Sequence, residues 1–449
     1  MRVLVLALAL FLGAGPGLAF AWSAGADGWW QGLDVLEEAE LEAGYFPGPA
    51  DSIDSSANLF VRAGLGFPVG QAWEARLGLV LNAYDERGFR SVRELDVDFG
   101  ETFVRYRDDR RRITAGAQTV IWGRVDVEAP TDQIAIRDLR RGLIGELSQR
   151  RRAALAVRWE EYLDPVKLDV LWMPVFRPAV LPPERSLWYP INRRSGRILG
   201  LPRLSDLVSL LRASTIDEDD VPSGSGGGGI RLTRDDGNLD WGLSVQRVRS
   251  STPYFELDPR LQSLLPDNVS LLEVIRARRI RATFQAVYPW TTVVGGDLAW
   301  AGGQSTWRLE GAWLSDIAAT SVEFGFVTRP GLRWAAAWEH FPEWADLRIN
   351  VQLSGEHVSG SAGLLESGRR IRVVGDVDYY WARQRWRARL RYLAGIDHRQ
   401  FYLNPELSRL LEGRGELYLA AHWFDGQATT LGGLYQDNDL IAVGWRRRF

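Results

Sequence analysis

Apolar and polar side chains alternate with a period of two residues along much of this chain. Between positions 385 and 392 every odd position is arginine and every even position is apolar, and the stretches 73–82, 333–339, 347–354 and 439–449 alternate in a similar way. Successive side chains of a strand point to opposite faces, whereas a helix needs apolar residues three or four positions apart. The pattern therefore predicts an all-β chain with strands of about ten residues, longer than soluble proteins usually have.

The first 21 residues have the features of an export signal. Arg2 supplies a positive start, residues 3–12 are apolar, and Ala19 and Ala21 fit the small-residue rule for cleavage after Ala21. The apolar run is shorter than the roughly 20 residues that a membrane-spanning helix needs. We therefore expect a signal peptide at 1–21 and a single exported domain at 22–449.

Aromatic residues favour a membrane barrel over a soluble sheet protein. Trp307, Trp313, Tyr379 and Trp381 lie near the predicted strand ends, where barrels carry aromatic girdles. Phe449 ends an alternating strand at the carboxyl terminus. This ending resembles the C-terminal signal of Gram-negative outer-membrane barrels, which their assembly machinery reads. A tryptophan-rich propeller is the main soluble alternative, but the sequence lacks a repeat of about 40 residues with the usual signature.

Short polar turns predict how many strands the barrel has. They lie at 68–71, 108–111, 164–167, 235–238, 302–305, 341–346, 383–385 and 425–427. Connections between them are longer, at about 123–152, 174–229, 250–279, 359–370 and 398–415. Barrels of the outer membrane have short periplasmic turns and long extracellular loops. Eight turns joining strand pairs, with a first and a last strand, predict one transmembrane antiparallel barrel of 18 strands, with 16 or 20 as alternatives.

A barrel of this width is expected to enclose an aqueous lumen, so its inward-facing residues bear on function. One strand presents an arginine row, Arg385, Arg387, Arg389 and Arg391, spaced by about 6.6–7 Å. The other pore-lining candidates are Arg372, Arg348, Arg333, Arg308, Glu310, Asp376 and Asp378. Arginine rows select anions. The alternative is that these arginines pair with acids on neighbouring strands, such as Asp376 and Asp378, and stiffen the wall.

The longest predicted connection contains a short amphipathic pattern at Leu201–Leu211. This pattern predicts a helix that either caps the outer loops or narrows the lumen. The sequence contains no metal-binding histidine pair and no nucleophile motif. His422 and Glu416 share the inward face and are the candidates for an outer-membrane enzyme. The chain has no cysteine, which excludes disulfides and thiolate metal sites. We therefore predict no catalytic residue, no metal and no cofactor.

A resemblance to a known group of barrels rests on one segment. The residues Gly116–Asp126, followed by Pro130-Thr131-Asp132 and Arg137-Asp138-Leu139, resemble an element of exported proteobacterial barrels. That broad group includes uncharacterised porin-like families, which Trp172–Pro178 also resembles, and the alginate-export porin. Ala117 stands where the element has arginine. The resemblance implies an outer-membrane barrel and carries over no catalytic residue.

The same segment predicts a charged network where a strand leaves the membrane. Glycine permits a bend there and tryptophan anchors at the interface. The residues expected at this extracellular mouth are Trp122, Arg124, Asp126, Asp132, Arg137 and Asp138. They either stabilise the loop or contact a ligand.

Together these features predict a porin-like channel of the Gram-negative outer membrane, with a slight preference for anionic cargo. Its expected partners are outer-membrane lipid, lipopolysaccharide, the barrel assembly machinery and a small or polymeric solute. A periplasmic or inner-membrane transport partner is a further candidate. The 54 basic and 57 acidic residues give no basic excess, so we expect no nucleic acid partner. The alternatives are a non-conducting structural or adhesion barrel and an outer-membrane enzyme.

Overall fold

A computed structural model describes residues 35–48, 53–88, 91–192, 195–200, 216–217, 220–259, 283–413 and 415–449. Within these ranges the chain forms one closed antiparallel barrel of 18 strands, which confirms the predicted fold class and strand number. Numbered in chain order, the strands are Leu36–Tyr45 (β1), Ser55–Pro68 (β2), Trp73–Arg87 (β3), Val92–Phe99 with Thr102–Arg107 (β4), Arg111–Gln118 (β5), Ala154–Leu163 (β6), Val166–Met173 (β7), Gly227–Asp236 (β8), Leu239–Arg249 (β9), Trp290–Gly302 (β10), Ser305–Thr320 (β11), Phe326–His340 (β12), Leu347–Val358 (β13), Arg369–Trp381 (β14), Trp386–Gly395 (β15), Gln400–Leu411 (β16), Gly415–Gly426 (β17) and Leu440–Arg448 (β18).

The first and last strands pair with each other and close the barrel. Their antiparallel register runs from Glu38 opposite Arg448 to Tyr45 opposite Ile441. Every other strand pairs with its neighbours in the chain, and of the described strands only the Val92–Phe99 part of β4 pairs on one side alone, with β3. Closure satisfies the backbone N–H and C=O groups within the protein, as the hydrocarbon region of a bilayer requires.

Strand β4 is interrupted by a bulge at residues 100–101, and both of its parts pair with β3. The Gly100 N–H donates to the carbonyl of Gly78 at 2.9 Å. A Cβ at Gly78 would lie 2.6 Å from the carbonyl oxygen of Glu101, so a residue with a side chain does not fit there without a shift. Bulges of this kind bend one strand locally and leave the rest of the ladder intact.

The barrel exposes its apolar side chains and buries its polar ones. Leu95, Leu243 and Val443 point outward and are 67%, 57% and 56% exposed, respectively. On β16, Asn404 and Ser408 point inward and are fully buried. Because a water-soluble surface rarely carries so continuous an apolar face, this outer wall suits a lipid environment.

Aromatic rings gather where the short turns are. Trp73 contacts Tyr106 with 5.2 Å between ring centroids, and Trp381 stacks on Trp386 at 6.2 Å. Trp344 lies in a short turn and is 80% exposed. Amphipathic rings favour the boundary between acyl chains and headgroups, so this belt marks one membrane interface.

Connections differ in length between the two ends of the barrel. The short turns occupy 69–72, 108–110, 164–165, 237–238, 303–304, 341–346, 382–385 and 412–414. The opposite end, called here the long-loop end, carries 46–54, 88–91, 119–153, 174–226, 250–289, 321–325, 359–368, 396–399 and 427–439. Among the described residues no helix is long and apolar enough to cross a membrane.

One predicted turn is wrong. Residues 425–427 were expected to form a short turn, but β17 runs through 415–426 and the short turn lies at 412–414. Likewise the connection expected at 398–415 is mostly strand β16. Both stretches contain glycine and polar residues, so composition alone does not separate them, and exchanging one turn for the other leaves the strand number unchanged. The predicted signal peptide at 1–21 and the helix at Leu201–Leu211 lie outside the described residues.

A closed ladder of this kind predicts resistance to detergent at room temperature. We expect the unheated protein to stay folded in dodecyl sulfate and to migrate faster on a gel than the boiled protein, because the barrel is more compact than the unfolded chain. Circular dichroism should show mainly β structure. Identical migration before and after boiling, together with a helical spectrum, would contradict the fold.

Candidate functional site

The connection between β5 and β6, residues 119–153, lies inside the barrel, and we call it the inner segment. Its contacts reach inward-facing residues in different sectors of the wall. Arg124 binds β10, Arg141 binds β1, and Glu146 binds β15. Much of the lumen is therefore occupied by the protein's own chain.

The Glu310 carboxylate on β11 holds one turn of the inner segment. It is 4% exposed and accepts hydrogen bonds from the backbone N–H groups of Arg124 (3.0 Å), Val125 (3.3 Å) and Thr131 (2.7 Å). The Thr131 hydroxyl donates a fourth, at 2.7 Å. Because four donors converge on one carboxylate, this turn is fixed to the wall in a single position.

The Arg124 side chain shows how deep the inner segment reaches. Its Nε donates to Asp297 at 2.5 Å, and its two Nη atoms donate to Asp240 at 3.3 Å and Asp235 at 3.1 Å. Asp235 and Asp240 flank the short turn between β8 and β9. Arg124 thus lies near the short-turn end, far from the long-loop end where the segment enters.

Trp122 and Gly123 are packed inside the lumen. The Trp122 indole is 2% exposed and donates from Nε1 to Asp169 on β7 at 3.1 Å. A Cβ on Gly123 would lie 2.2 Å from the Cβ of Ala129, so the turn needs glycine at this position. The tryptophan is a lumen anchor, not a residue at the membrane interface.

The predicted extracellular mouth is therefore wrong for Trp122, Arg124 and Asp126, whereas Asp138 lines a pocket near the long-loop ends of β3 and β4. The six residues predicted for the mouth were Trp122, Arg124, Asp126, Asp132, Arg137 and Asp138. Asn350 on β13 donates to Asp126 at 3.2 Å, and Arg137 donates to the carbonyl of Asp132 at 3.5 Å. Asp138 pairs with Arg140 of the inner segment at 2.5 Å. The segment folds inward because its polar groups find partners on the lumen wall, which the sequence pattern does not show.

Strand β1 presents three buried glutamates to the lumen. Glu38, Glu40 and Glu42 are 6%, 2% and 6% exposed. Arg141 of the inner segment forms an ion pair with Glu42 and lies 3.6 Å from Glu40, while Gln149 donates to Glu38 at 3.3 Å. Sequence reasoning missed this acidic row, although three glutamates at alternate positions were a visible signal.

The arginine row on β15 is neutralised by carboxylates. Arg387 lies 2.8 Å from Glu406, and Arg389 lies 2.9 Å from the same residue. Glu146 of the inner segment contacts Arg389 at 2.8 Å and Arg391 at 3.3 Å. The row therefore serves as a docking surface for the inner segment, and its fixed charge is largely cancelled.

Two details of the predicted arginine row are wrong. Arg385 lies in the turn 382–385 before β15 and is exposed, so the row has three members on the strand. The turn begins after Trp381, which pairs directly with Trp386. Asp376 was a predicted partner of the row, but it pairs with Arg348.

The remaining pore-lining candidates form ion pairs along β11 to β14. Glu339 bridges Arg308 at 2.7 Å and Arg348 at 2.6 Å, and Arg348 also contacts Asp376 and, at 3.4 Å, Asp378. These strand-to-strand pairs neutralise the wall in this sector.

Two further candidates pair in the same way. Arg333 on β12 contacts Glu356 at 2.7 Å, and Arg372 on β14 contacts Glu128 of the inner segment. The second pair links the wall to the chain in the lumen, as Glu310 does on β11.

Glu146 is ionised in its environment. Burial raises the pKa of its carboxyl, but the charges of Arg391, Arg389 and Arg446 outweigh burial and hold the pKa well below its usual range. A lowered pKa stabilises the fold above the unfolded value of about 4.3, and this contribution disappears as pH falls through the folded value. The link between the inner segment and the arginine row is thus complete at neutral pH.

His422 and Glu416 do not form a catalytic arrangement with each other. The His422 Nδ1 lies 2.9 Å from the Tyr402 hydroxyl, whereas Glu416 contacts Arg387 at 3.0 Å and also Arg446. In the part of the chain that the structure describes, no group of three or more histidines and acids could hold a metal ion.

A second connection covers part of the long-loop end. Trp188, from residues 174–226, is 2% exposed and packs against Phe424 at 5.7 Å and Tyr435 at 5.3 Å between ring centroids. The Tyr435 hydroxyl donates to the carbonyl of Trp188 at 2.7 Å. This aromatic cluster covers the long-loop ends of β16 to β18.

Open space remains between the inner segment and β2 to β4. We call it the wall cavity; its volume is about 190 Å³. The arginines that line it are Arg62, Arg76, Arg140, Arg151 and Arg152. The carboxylates that line it are Glu37, Asp98, Glu101 and Asp138. Among the five arginines Arg76 has the most exposed side chain, at 32%.

A smaller cavity of about 30 Å³ adjoins the wall cavity, and we call it the upper pocket. The two spaces share Asp138, Arg140 and Gln149 as lining residues. Tyr84 and Glu94 line the upper pocket and lie three residues or fewer from the long-loop ends of β3 and β4. The two cavities follow one another along the same sector of the wall.

Replacing Glu310 by glutamine should loosen the inner segment. The neutral side chain loses the charge-assisted hydrogen bonds from Arg124, Val125 and Thr131, at a cost of about 2 kcal/mol, or roughly a 30-fold larger open population. Trypsin cleavage after Arg124 should accelerate accordingly. Glu323→Gln, an exposed site between β11 and β12, is the control. Unchanged cleavage in the Glu310 variant would contradict the anchoring role.

Replacing Arg389 by glutamine should destabilise the barrel, because Glu146 and Glu406 then keep buried charges with fewer partners. Breaking a buried pair costs about 3 kcal/mol. The temperature at which the folded gel band disappears should fall. Arg385→Gln, in the exposed turn of the same arginine-rich stretch, should leave that temperature unchanged. Equal behaviour of the two variants would show that the row is not a docking surface.

No protein-family model and no curated protein matches this chain. Solved structures of similar shape exist. OpdL of Pseudomonas aeruginosa aligns with a TM-score of 0.50 at 9% identity, over 93% of this chain and 99% of OpdL. OccK5 (OpdH) of the same organism aligns with a TM-score of 0.49 at 7% identity, over 92% of this chain and 98% of OccK5. The outer membrane protein OprD from Pseudomonas aeruginosa aligns with a TM-score of 0.46 at 9% identity, over 95% of this chain and 96% of OprD. At this identity the likeness to OpdL shows that the two chains share a barrel fold over almost their whole length.

Proposed function

We propose that this protein is a channel of the Gram-negative outer membrane that passes small hydrophilic solutes between the inner segment and strands β2 to β4. The observation that carries the proposal is the wall cavity, a polar space of about 190 Å³ inside a lipid-facing barrel. Paired charges join the inner segment to the wall elsewhere, and at this cavity Arg140 pairs with Asp96 and Arg152 with Asp98. The remaining space suits a small solute better than a polymer.

A slight preference for anions is part of this proposal. Five arginines and four carboxylates line the wall cavity. Arg76 is the most exposed of these arginines, although it pairs with Glu37 and lies 3.8 Å from Glu101. Arginine at a constriction attracts anions and repels cations, so a small excess of arginine biases the passage.

The outer-membrane location is proposed from the apolar wall, the aromatic belt and the carboxyl terminus. The Phe449 N–H donates to the carbonyl of Glu37 at 3.0 Å, and its ring lies 4.0 Å from the Arg447 guanidinium. The terminal residue thus belongs to the seam between β1 and β18. In this proposal the assembly machinery reads that terminal strand, and lipid and lipopolysaccharide surround the finished barrel.

A non-conducting barrel is the second candidate, and the cover over β16 to β18 favours it. There Trp188, Phe424 and Tyr435 form a packed cluster instead of an open vestibule. A structural or adhesion protein would need no passage at all. Ionic current across a membrane separates the two candidates.

The purified protein should form small, steady channels in planar bilayers, with a reversal potential on the anion-selective side in a salt gradient. Arg76→Gln removes one charge from the wall cavity and should move the reversal potential toward cation selectivity, more strongly at low salt because screening weakens. Arg308→Gln removes a similarly paired charge outside the cavity and is the matched control.

Three outcomes are informative. Absence of current would favour the non-conducting barrel. Equal shifts in both variants would show that general lumen charge sets the selectivity. Cation selectivity of the unaltered protein would contradict the proposed preference.

A further inference from the structure

The upper pocket has a wall of amide and carboxylate groups. Asn58 on β2 lies opposite Tyr84 on β3, and Tyr84 lies opposite Glu94 on β4. Asn82, two residues before Tyr84, faces the same space. The inner segment forms the other side with Arg140, Arg141, Gly142, Gly145, Gln149 and Arg150, and Asp138 completes the lining.

Three of these wall groups have no partner. Asn58 is 6% exposed, and its Nδ2 makes no hydrogen bond. The Nδ2 of Asn82 is also buried without a partner. No hydrogen bond or ion pair from the described residues reaches the Glu94 carboxylate. Buried polar groups are nearly always satisfied, so the two buried amide donors without a partner, beside the half-buried Glu94 carboxylate, point to a polar occupant of the pocket.

Two of the three arginines that line the pocket pair with carboxylates. Arg140 pairs with Asp138 at 2.5 Å and Asp96 at 2.7 Å, while Arg141 pairs with Glu42 and Glu40. Their charges are therefore committed to protein carboxylates. Arg150, the third arginine of the lining, donates to the backbone carbonyls of Leu143 at 2.7 Å and Gly145 at 2.8 Å, so its N–H groups are engaged although no carboxylate of the described residues pairs with it. An anion entering the pocket would also meet the Glu94 carboxylate.

The chemistry of the idle groups selects one kind of ligand. An ammonium group could pair with Glu94 but would oppose the N–H donors of Asn58 and Asn82. A hydroxyl group accepts from an amide N–H and donates to a carboxylate through the same oxygen. Neighbouring hydroxyls on one molecule would satisfy both amides and Glu94 together.

We propose that the upper pocket binds the hydroxyl groups of a small neutral sugar or polyol, which continues into the adjoining wall cavity. This inference rests on the proposed channel, because it names the class of solute that enters the passage. The pocket itself holds only part of such a molecule at about 30 Å³, and the wall cavity offers about 190 Å³ beside it.

Saturation-transfer NMR on the detergent-solubilised exported protein tests binding without requiring current. The probe is D-glucose, and propionate is the small non-hydroxylated comparison. Glucose should receive saturation and propionate much less. Glu94→Ala and Asn82→Ala should each lower the glucose signal at least threefold. Glu94 has no partner to lose, so its variant should keep the fold, as checked by migration of the unheated protein.

Ser354→Ala is the matched control. The Ser354 hydroxyl is buried on β13 and also lacks a partner, but it lines neither cavity. An unchanged glucose signal in both pocket variants, or equal signals from glucose and propionate, would overturn the proposal and leave water as the occupant. Bilayer recordings of the same preparations separate the two proposals. Glucose binding without current would support the sugar site and contradict the channel. Current without specific glucose binding would support the channel and contradict the sugar site.

Discussion

The absence of water in a bilayer governs this structure, since each backbone N–H and C=O group in the wall must find its partner within the protein. The pairing of β1 with β18 meets that demand by joining the first and last strands into a closed ladder. Side-chain alternation follows from the same closure, with apolar residues facing lipid and polar residues facing inward. Bulges such as the one in β4 are tolerated because both parts of the strand still pair with β3.

Eighteen strands enclose more space than inward side chains can fill, and residues 119–153 fold into that space. Opposite charges orient that segment. Arg141 faces the glutamates of β1, Glu146 faces the arginines of β15, and the turn after Gly123 is held by Glu310. A rotated or shifted segment would set like charges against each other, so the charge pattern favours one placement.

The sequence predicts the wall far better than the interior. Alternation and turn composition give the strand number even though 425–427 was mistaken for the turn at 412–414, because strand period and turns are local properties. Whether a long connection folds inward depends on partners hundreds of residues away, such as Glu310 for Thr131 and Arg389 for Glu146. For that reason Trp122 and Arg124 were expected at the mouth. The row at Glu38, Glu40 and Glu42 was predictable from its spacing, but only a search for acidic rows as well as basic ones would have found it.

The inner segment leaves and rejoins the wall at one point, since Gln118 and Ala154 are partners in the ladder between β5 and β6. The register of the strand ladder therefore does not depend on how many residues lie between these two positions. Residues can be added, lost or exchanged there without altering the register of any strand pair. The free space inside the barrel can then change in evolution independently of the strand number. The strand number sets the width of the wall, and the inner segment sets how much of the lumen stays open.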